Sequence, residues 1–431
     1  IIGARQAECG FDVWKRDDGL WAQGPDGIYG EGDKSYNEFL KSKGYDGENP
    51  WADYANASLE NGEIASGWFL KNADKPANIR EEDSETPWLT SEAINFMKHT
   101  KEPWCAHVSY IKPHWPYIVP SPYHKMYGQN QILPATRHPI EKENTHPVYN
   151  AFLNNKIAKA FQNDAARAKV IPAYMGLIKQ CDDQLERIIN YLEETGEIKD
   201  TVIVLTSDHG DYLGDHWLGE KDLFHDPSVK IPMIIYDPRA SADKTRGTTC
   251  SNLVESIDLS ATFIEMAGGT VPDHIIEGKS LIPFLNGTPV TNWREVVFSE
   301  YDYSITPMAK ELGVEDKDAR LFMVFDGRYK LIHAEGGFRP ILFDLESDPD
   351  EFQDLGKQDN HKEIIKILYA HLAQWGRRMS QRVTKSAQDI HNMRGAAARK
   401  GILPFLVDGS EVEPELISKY LGQARKNYLD E

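Results

Sequence analysis

Thr201-Val202-Ile203-Val204-Leu205-Thr206-Ser207-Asp208-His209-Gly210 sets the reading of the whole chain. Its first six residues are almost wholly apolar and β-branched. That is how a central strand reads when helices cover both faces of its sheet. The run then breaks into a polar, glycine-ended tetrapeptide. In doubly wound sheets, ligands bind in the loops leaving the carboxyl ends of strands, and Ser207-Asp208-His209-Gly210 occupies that place. A carboxylate and a neutral imidazole are good ligands for a divalent ion. Adjacency lets one sharp turn, permitted by Gly210, aim both at the same ion. The loop continues through Asp215, His216 and Lys221 to His225 and Asp226. So many ionisable groups behind a buried strand are costly unless they share a metal or an anion. The competing reading makes Asp208 a helix cap and His209 a hydrogen-bonded loop histidine. The preceding strand, Gly210, Gly214 and Lys221 together favour the site. For His216 the two readings balance, and His225 reads rather as a surface or supporting histidine.

Working outward, an apolar stripe at helical spacing (Ile171, Tyr174, Ile178, Cys181, Leu185, Ile188, Ile189, Leu192) predicts a helix over about 171–195. Pro172 suits its first turn and Gly196 its C-terminal stop. A second apolar strand is expected at Ile231-Pro232-Met233-Ile234-Ile235-Tyr236, and a helix at about 253–267. The class is therefore α/β, with a mostly parallel sheet sandwiched by helices. Upstream, 1 to about 90 reads as long, partly irregular segments, and Ser91 to Met97 as the start of a helix. Trp104 to Tyr110 reads as a buried strand stopped by Pro113 and Pro116. The loop after it, Tyr110-Ile111-Lys112-Pro113-His114-Trp115-Pro116-Tyr117, is stiffened by proline. A fixed Lys112 and His114 can hold the oxygens of a tetrahedral anion, and a histidine can protonate a leaving alkoxide. A proline-rich surface loop with aromatic packing is the alternative; the neighbouring metal loop favours the site.

From about 296 the texture changes. Short strands are expected at Val296–Tyr301, Leu321–Phe325, Tyr329–His333 and Ile341–Leu345, with a tight hairpin at Asp326-Gly327-Arg328. This predicts a catalytic α/β domain over 1–295 and a small antiparallel α+β subdomain over 296–360. A helical tail follows over 361–431, with a helix near 361–379. The tail is too polar to hold a core of its own, so packing on a second subunit, in a dimer or tetramer, is expected.

The 431 residues carry 48 Lys+Arg against 67 Asp+Glu, a net charge of -19. Such a field disfavours nucleic acid and anionic membranes, so an anion site must be locally positive. No run approaches the ~18 apolar residues of a membrane span. Cys9, Cys105, Cys181 and Cys250 are scattered without a CxxC, which fits reduced thiols and a cytoplasmic setting.

Thr206 to His216, with Lys221 and Val229-Lys230-Ile231-Pro232-Met233-Ile234-Ile235, resembles sulfatases of the alkaline phosphatase superfamily. Lys112-Pro113-His114-Trp115-Pro116 resembles that family's Lys/Arg-Pro-His loop. Leu342-Phe343-Asp344-Leu345 with Asp348-Pro349-Asp350-Glu351 resembles its C-terminal signature. The stretch 116–124 and the long tail look closest to bacterial phosphonate monoester hydrolases and arylsulfatases. The resemblance implies an alkaline phosphatase-like fold and one divalent ion, Ca²⁺ or Mn²⁺, held by Asp208 and His209 with carboxylates from an N-terminal strand. It implies a formylglycine hydrate that attacks sulfur or phosphorus in a small anionic ester. Lys112, His114, Lys221 and His216 would bind the substrate; Lys221 and Lys112 would neutralise the oxyanion, and His114 would assist the leaving group.

The chain departs from that pattern in one respect. None of its four cysteines opens the family's Cys/Ser-x-Pro/Ala-x-Arg motif. The formylglycine and the first strand with its acidic ligands are expected in an N-terminal segment outside these residues. Two other readings follow: a non-catalytic binding or assembly module that keeps the fold, and a two-metal phosphatase or mutase of the same superfamily.

Overall fold

The computed structural model describes residues 10–17, 35–101, 103–378 and 388. Cys9 and the tail beyond residue 378, with its apolar stretch 402–406, lie outside the described residues apart from Gln388. The chain divides into two compact units, Ile1–Leu253 with Phe284–Tyr369, and Val254–Pro283 with Ala370–Glu431.

In the first unit, α1 (Ser35–Ser42) is followed by the hairpin β1 (Ala57–Glu60) and β2 (Glu63–Ser66), then by α2 (Glu85–His99). The hairpin had no clear alternation in sequence. The helix begins before Ser91 because Ser84, extended at φ -71° and ψ 167°, precedes it and Pro87 is tolerated in its first turn. Short α3 (Pro147–Leu153) and α4 (Lys156–Phe161) lead into α5 (Asp164–Thr195). That helix starts seven residues before the apolar stripe, at an Asn163 side chain accepting from Ala165 N at 2.9 Å. Pro172 consequently lies inside it rather than in its first turn. Gly196 ends it at φ 80°, as the sequence predicts.

The strand β3 (Ile203–Thr206) runs straight into Ser207 and Asp208. After α6 (Asp226–Val229) the chain returns as β4 (Met233–Tyr236). The two strands pair antiparallel, Ile203 opposite Tyr236 and Thr206 opposite Met233. The α/β class stands. Among the described residues, however, every ladder is antiparallel, and parallel pairing is limited to the bridge Pro76–Val119. Nor are both faces of β3 covered among the described residues: Ile203 and Val204 are half-buried and Leu205 and Thr206 exposed, so the apolar β-branched run fixed neither the cover nor the direction of the neighbour. Residues 104–110 correct a second expectation: they alternate between half-buried and exposed and carry no ladder. Trp104 and Ala106 pack beside Met97, Ile188 and Leu192, so this segment is extended without being a strand.

Further on come β5 (Val297–Asp302), α7 (Pro307–Leu312), β6 (Arg320–Phe325), β7 (Tyr329–Ala334) and β8 (Ile341–Asp344). The four strands form the antiparallel sheet read from sequence, in the order β5-β6-β7-β8. At the β6–β7 turn Gly327 takes φ 95°, and the Asp326 carboxylate accepts from the amides of Arg328 and Tyr329 at 2.9 and 2.6 Å. The sheet shares one core with the loop after β3. Leu321, Met323, Ile332, Ala334, Ile341 and Phe343 cluster with Tyr212, Leu218, Leu223 and Phe224. Helices at Asp258–Met266 and Lys362–Gly376 match the two expected in those regions. No described helix is long and apolar enough to cross a membrane.

Candidate active site

Asp208 and His209 follow β3 directly. The Asp208 side chain is 88% exposed, and its Oδ2 stands 3.5 Å from His209 Nε2. On the far side of the ring, His209 Nδ1 donates to the Gly210 carbonyl at 2.7 Å. That bond fixes the tautomer and leaves Nε2 with its lone pair facing the carboxylate. An oxygen and a nitrogen donor on one side of a turn fit a divalent cation. Among the described residues no third carboxylate, imidazole or thiolate joins them.

The turn is tight. A Cβ on Gly210 would meet the Pro227 carbonyl oxygen at 1.9 Å, and the Gly210 amide donates to Ser228 O at 2.8 Å. Beyond it the loop is strained. Leu213, His216, Trp217, Glu220 and Leu223 all have positive φ, between 46° and 86°. Several bonds hold it there. Tyr212 N donates to Glu220 O, Gly214 N to Leu218 O and His216 N to Thr136 O, each at 2.8 Å. The Trp217 ring lies 4.4 Å from the Arg137 guanidinium and 3.7 Å from the Lys142 ammonium. The result is a reversal that carries Lys221 back to the other loop.

There, Lys221 Nζ donates to His114 Nε2 at 2.9 Å, and the His114 ring lies 5.8 Å from the His209 ring. His114 Nδ1 donates to Trp115 O at 2.9 Å. Burial pulls the His114 pKa down to about 4, and the Lys221 and Lys112 charges, with any charge on His209, push the same way. His114 is thus neutral at pH 7. The structure brings Asp208, His209, His114 and Lys221 together.

Lys112 departs from the expectation. It is 5% exposed, and its ammonium is engaged by Asn56 Oδ1 at 2.7 Å, Pro116 O at 3.1 Å and Glu85 Oε2 at 3.4 Å. Two of its three N–H donors are spent on Asn56 and Pro116, and its charge is paired with Glu85, so the ammonium faces these partners. His216 also stands elsewhere. Its ring, 2% exposed, gives Nδ1 to Glu141 Oε1 at 2.7 Å and stacks on His225 at 3.9 Å, with planes 9° apart. These contacts, not a substrate, occupy it. Glu141, His216 and His225 bring their ligand atoms within 4.8 Å of one another. Two parallel rings cannot both hold one ion in plane, so stacking rather than chelation describes the trio. His225 is buried, as a supporting residue is, with Nδ1 3.0 Å from Tyr212 Oη.

One group near the site is absent from the sequence reading. Asp211, beside Gly210, accepts from the Tyr117 hydroxyl at 2.6 Å, and burial raises its pKa to about 6. Its position in a loop crowded with ionisable residues is the only sequence signal it carries.

Residues 33–269 match the profile of the sulfatase family. Residues 214–378 match that of the C-terminal region of N-sulphoglucosamine sulphohydrolase. The multifunctional alkaline phosphatase superfamily protein PehA of Trinickia caryophylli is 31% identical over 318 residues, 70% of this chain and 61% of its own length. An arylsulfatase of Clostridium perfringens is 27% identical over 298 residues, 68% of this chain and 58% of its own. Among solved structures, the phosphonate monoester hydrolase SpPMH from Silicibacter pomeroyi superposes with a TM-score of 0.70 at 28% identity. That match covers 78% of this chain and 67% of that one. The chain spans about three fifths of the length of the curated relatives it matches.

Proposed function

The chain belongs to the sulfatase family, and from that premise we propose that it is the metal- and oxyanion-binding part of a hydrolase of sulfate monoesters, phosphonate monoesters or phosphodiesters. The observation that carries the proposal is Lys221 Nζ at 2.9 Å from His114 Nε2, in the same group as Asp208 and His209. A cation, a neutral imidazole and a two-donor metal seat suit a tetrahedral centre whose non-bridging oxygens carry negative charge. Names of relatives support both ester types: arylsulfatase and phosphonate monoester hydrolase.

In this reading Asp208 and His209 would hold one divalent ion, Ca²⁺ or Mn²⁺, and that ion would supply Lewis-acid polarisation of an ester oxygen. Lys221 neutralises charge on the oxyanion. His114, neutral in the free protein, accepts from Lys221. An anionic ester arriving beside it would draw the Lys221 ammonium onto its oxygens, free Nε2 to take a proton from solvent, and favour the imidazolium that then protonates the leaving oxygen. The nucleophile is a formylglycine supplied from outside these 431 residues. Lys112 takes no part in oxyanion binding and instead fixes the loop that carries His114.

The test is turnover by the protein as its gene encodes it, comparing 4-nitrophenyl sulfate with 4-nitrophenyl phenylphosphonate. Lys221→Ala is expected to lower kcat/KM by about 10²- to 10³-fold, the range for losing one oxyanion donor. Wild-type turnover in both Lys221→Ala and Asp208→Ala would sink the proposal.

A further inference from the structure

The C-terminal Asp-Pro-x-Glu stretch, read from sequence only as a signature, has a physical role in this structure. Lys330, on β7, is 1% exposed. Its ammonium donates to Phe224 O at 3.0 Å and Asp226 Oδ1 at 2.8 Å, and lies 2.6 Å from Glu351 Oε1. Glu351, also 1% exposed, accepts from the Asp226 amide through its other oxygen at 2.7 Å. This buried pair thus grips both side chain and backbone at the start of α6.

Two residues later, Ser228 touches both halves of the candidate site. Its hydroxyl donates to the Lys221 carbonyl. Its own carbonyl accepts from the Gly210 amide at 2.8 Å. The first contact fixes the backbone under the oxyanion-binding lysine, and the second fixes the turn that presents Asp208 and His209. Ser228 is itself buried and tied back to His225 O by its amide at 2.9 Å. The strained loop between Gly210 and Lys221 therefore has both ends fastened to one residue.

We infer that Ser228 is a positioning residue, clamped through Asp226 by Lys330 and Glu351, that sets the distance between Lys221 and the Asp208–His209 pair. The inference rests on the proposed hydrolase reading for its catalytic consequence but not for its structural one. A displacement of about 1 Å far from the chemistry can cost about a hundredfold in rate, which is the scale expected here.

Two readouts separate this inference from the reading beneath it. In hydrogen exchange on the 431-residue chain, Ser228→Ala is expected to speed exchange in peptides covering 207–224 while leaving β6 to β8 at wild-type rates. In kinetics on the protein as encoded, Ser228→Ala is expected to lower kcat by about 10- to 100-fold with KM changed less than about threefold, the pattern of a lost transition-state interaction. Ser228→Thr, which keeps the hydroxyl, is expected to restore most of the rate, and Ser228→Val is not. The double variant Lys330→Met/Glu351→Gln removes both buried charges without leaving either alone. It is expected to show the same local exchange, which keeps the test open if Ser228→Ala folds poorly.

An inactive wild-type protein would overturn the hydrolase reading; the exchange result would then decide the positioning role alone. Unchanged exchange across 207–224 in both Ser228→Ala and the double variant overturns the inference. Rescue by Ser228→Val equal to that by Ser228→Thr overturns it as well.

Discussion

Lys221 Nζ and His114 Nε2 lie 2.9 Å apart although 107 positions separate them in sequence. The lysine charge next to the ring opposes its protonation, yet burial is the larger cause of the His114 pKa near 4. Lys221→Met is therefore expected to raise the His114 pKa only part of the way from about 4 to 6.5. Titration of the His114 Cε1–H resonance by NMR checks this. A pKa that does not rise would mean that Lys221 exerts no field on the ring.

His146 gives a pH prediction free of the site. It is buried, donates from Nε2 to Arg339 O at 2.9 Å, and its pKa is lowered to about 4 mainly by burial. A depressed histidine pKa means that the unfolded chain takes up the proton first. Its contribution is thus intact above about pH 6.5 and is lost progressively as pH falls from 6.5 to 4. Several carboxylates, Asp211 and Glu351 among them, are shifted upward and oppose this trend. The clean quantity is the difference from His146→Gln. Wild-type stability relative to that variant is expected to drop by about 3 kcal/mol across the window, from ~1.4 kcal/mol per pKa unit. Urea unfolding of both proteins at pH 4.5 and 7 measures it, and a parallel dependence in the two would refute the assignment.

The contrast between His114 and Lys112 shows how far sequence reading reaches. Both lie in one proline-stiffened loop, and both were expected to face the anion. His114 does. Lys112 turns toward Asn56, 56 positions upstream, and toward Glu85. Short-range pattern identifies a loop after an extended segment and the residue types on it. It does not say which distant carboxylate will claim a lysine first. Asp208 and His209 were legible because their chemistry follows from one turn. His216 was not, because Glu141 and His225, which decide its surroundings, lie in other segments. The same limit explains residues 104–110. Their alternation is that of a strand, but a strand also needs a neighbour to pair with, and pairing is not written into the segment itself. Pro172 misled for a different reason: Asn163 caps α5 before the apolar stripe begins.

The Lys112 contacts carry a stability prediction. Glu85, equally buried, otherwise accepts only from Trp51 Nε1 at 2.5 Å and Asn56 Nδ2 at 3.3 Å among its described bonds. Lys112→Met leaves that carboxylate without its cation and is expected to cost about 3–5 kcal/mol. Adding Glu85→Gln should recover much of the loss. Chemical denaturation of the three proteins reads the cycle. A Lys112→Met variant as stable as wild type would return Lys112 to the oxyanion site.

For the metal seat, the prediction concerns binding alone. Asp208→Asn keeps size and shape but weakens the oxygen donor. His209→Gln removes the imidazole. Calorimetric titration with Mn²⁺ or Ca²⁺ is expected to show affinity lowered in each by more than the ~10- to 100-fold typical of losing only an outer partner. His216→Gln, stacked away from the pair, is expected to leave affinity near wild type. Loss in His216→Gln alone, with Asp208→Asn and His209→Gln at wild-type affinity, would refute the Asp208–His209 seat.

Gly210→Ala tests the turn that joins these groups. The new Cβ would meet a backbone oxygen, Pro227 O, at 1.9 Å. A flexible side chain could swing aside, but this carbonyl belongs to α6 and is held by the bonds around Asp226 and Ser228. The turn must open instead, stretching the Gly210–Ser228 hydrogen bond and moving Asp208 and His209 together. The expected cost is about 1–3 kcal/mol, the range for overpacking in a tight site, with metal affinity lowered in parallel. Gly376→Ala is the control: its Cβ meets nothing within 4 Å. There alanine should be neutral or stabilising by up to about 1 kcal/mol. Thermal unfolding and metal titration on both variants decide the matter. If Gly210→Ala matches Gly376→Ala in both, then the close approach of α6 to Gly210 does not hold the metal-binding turn.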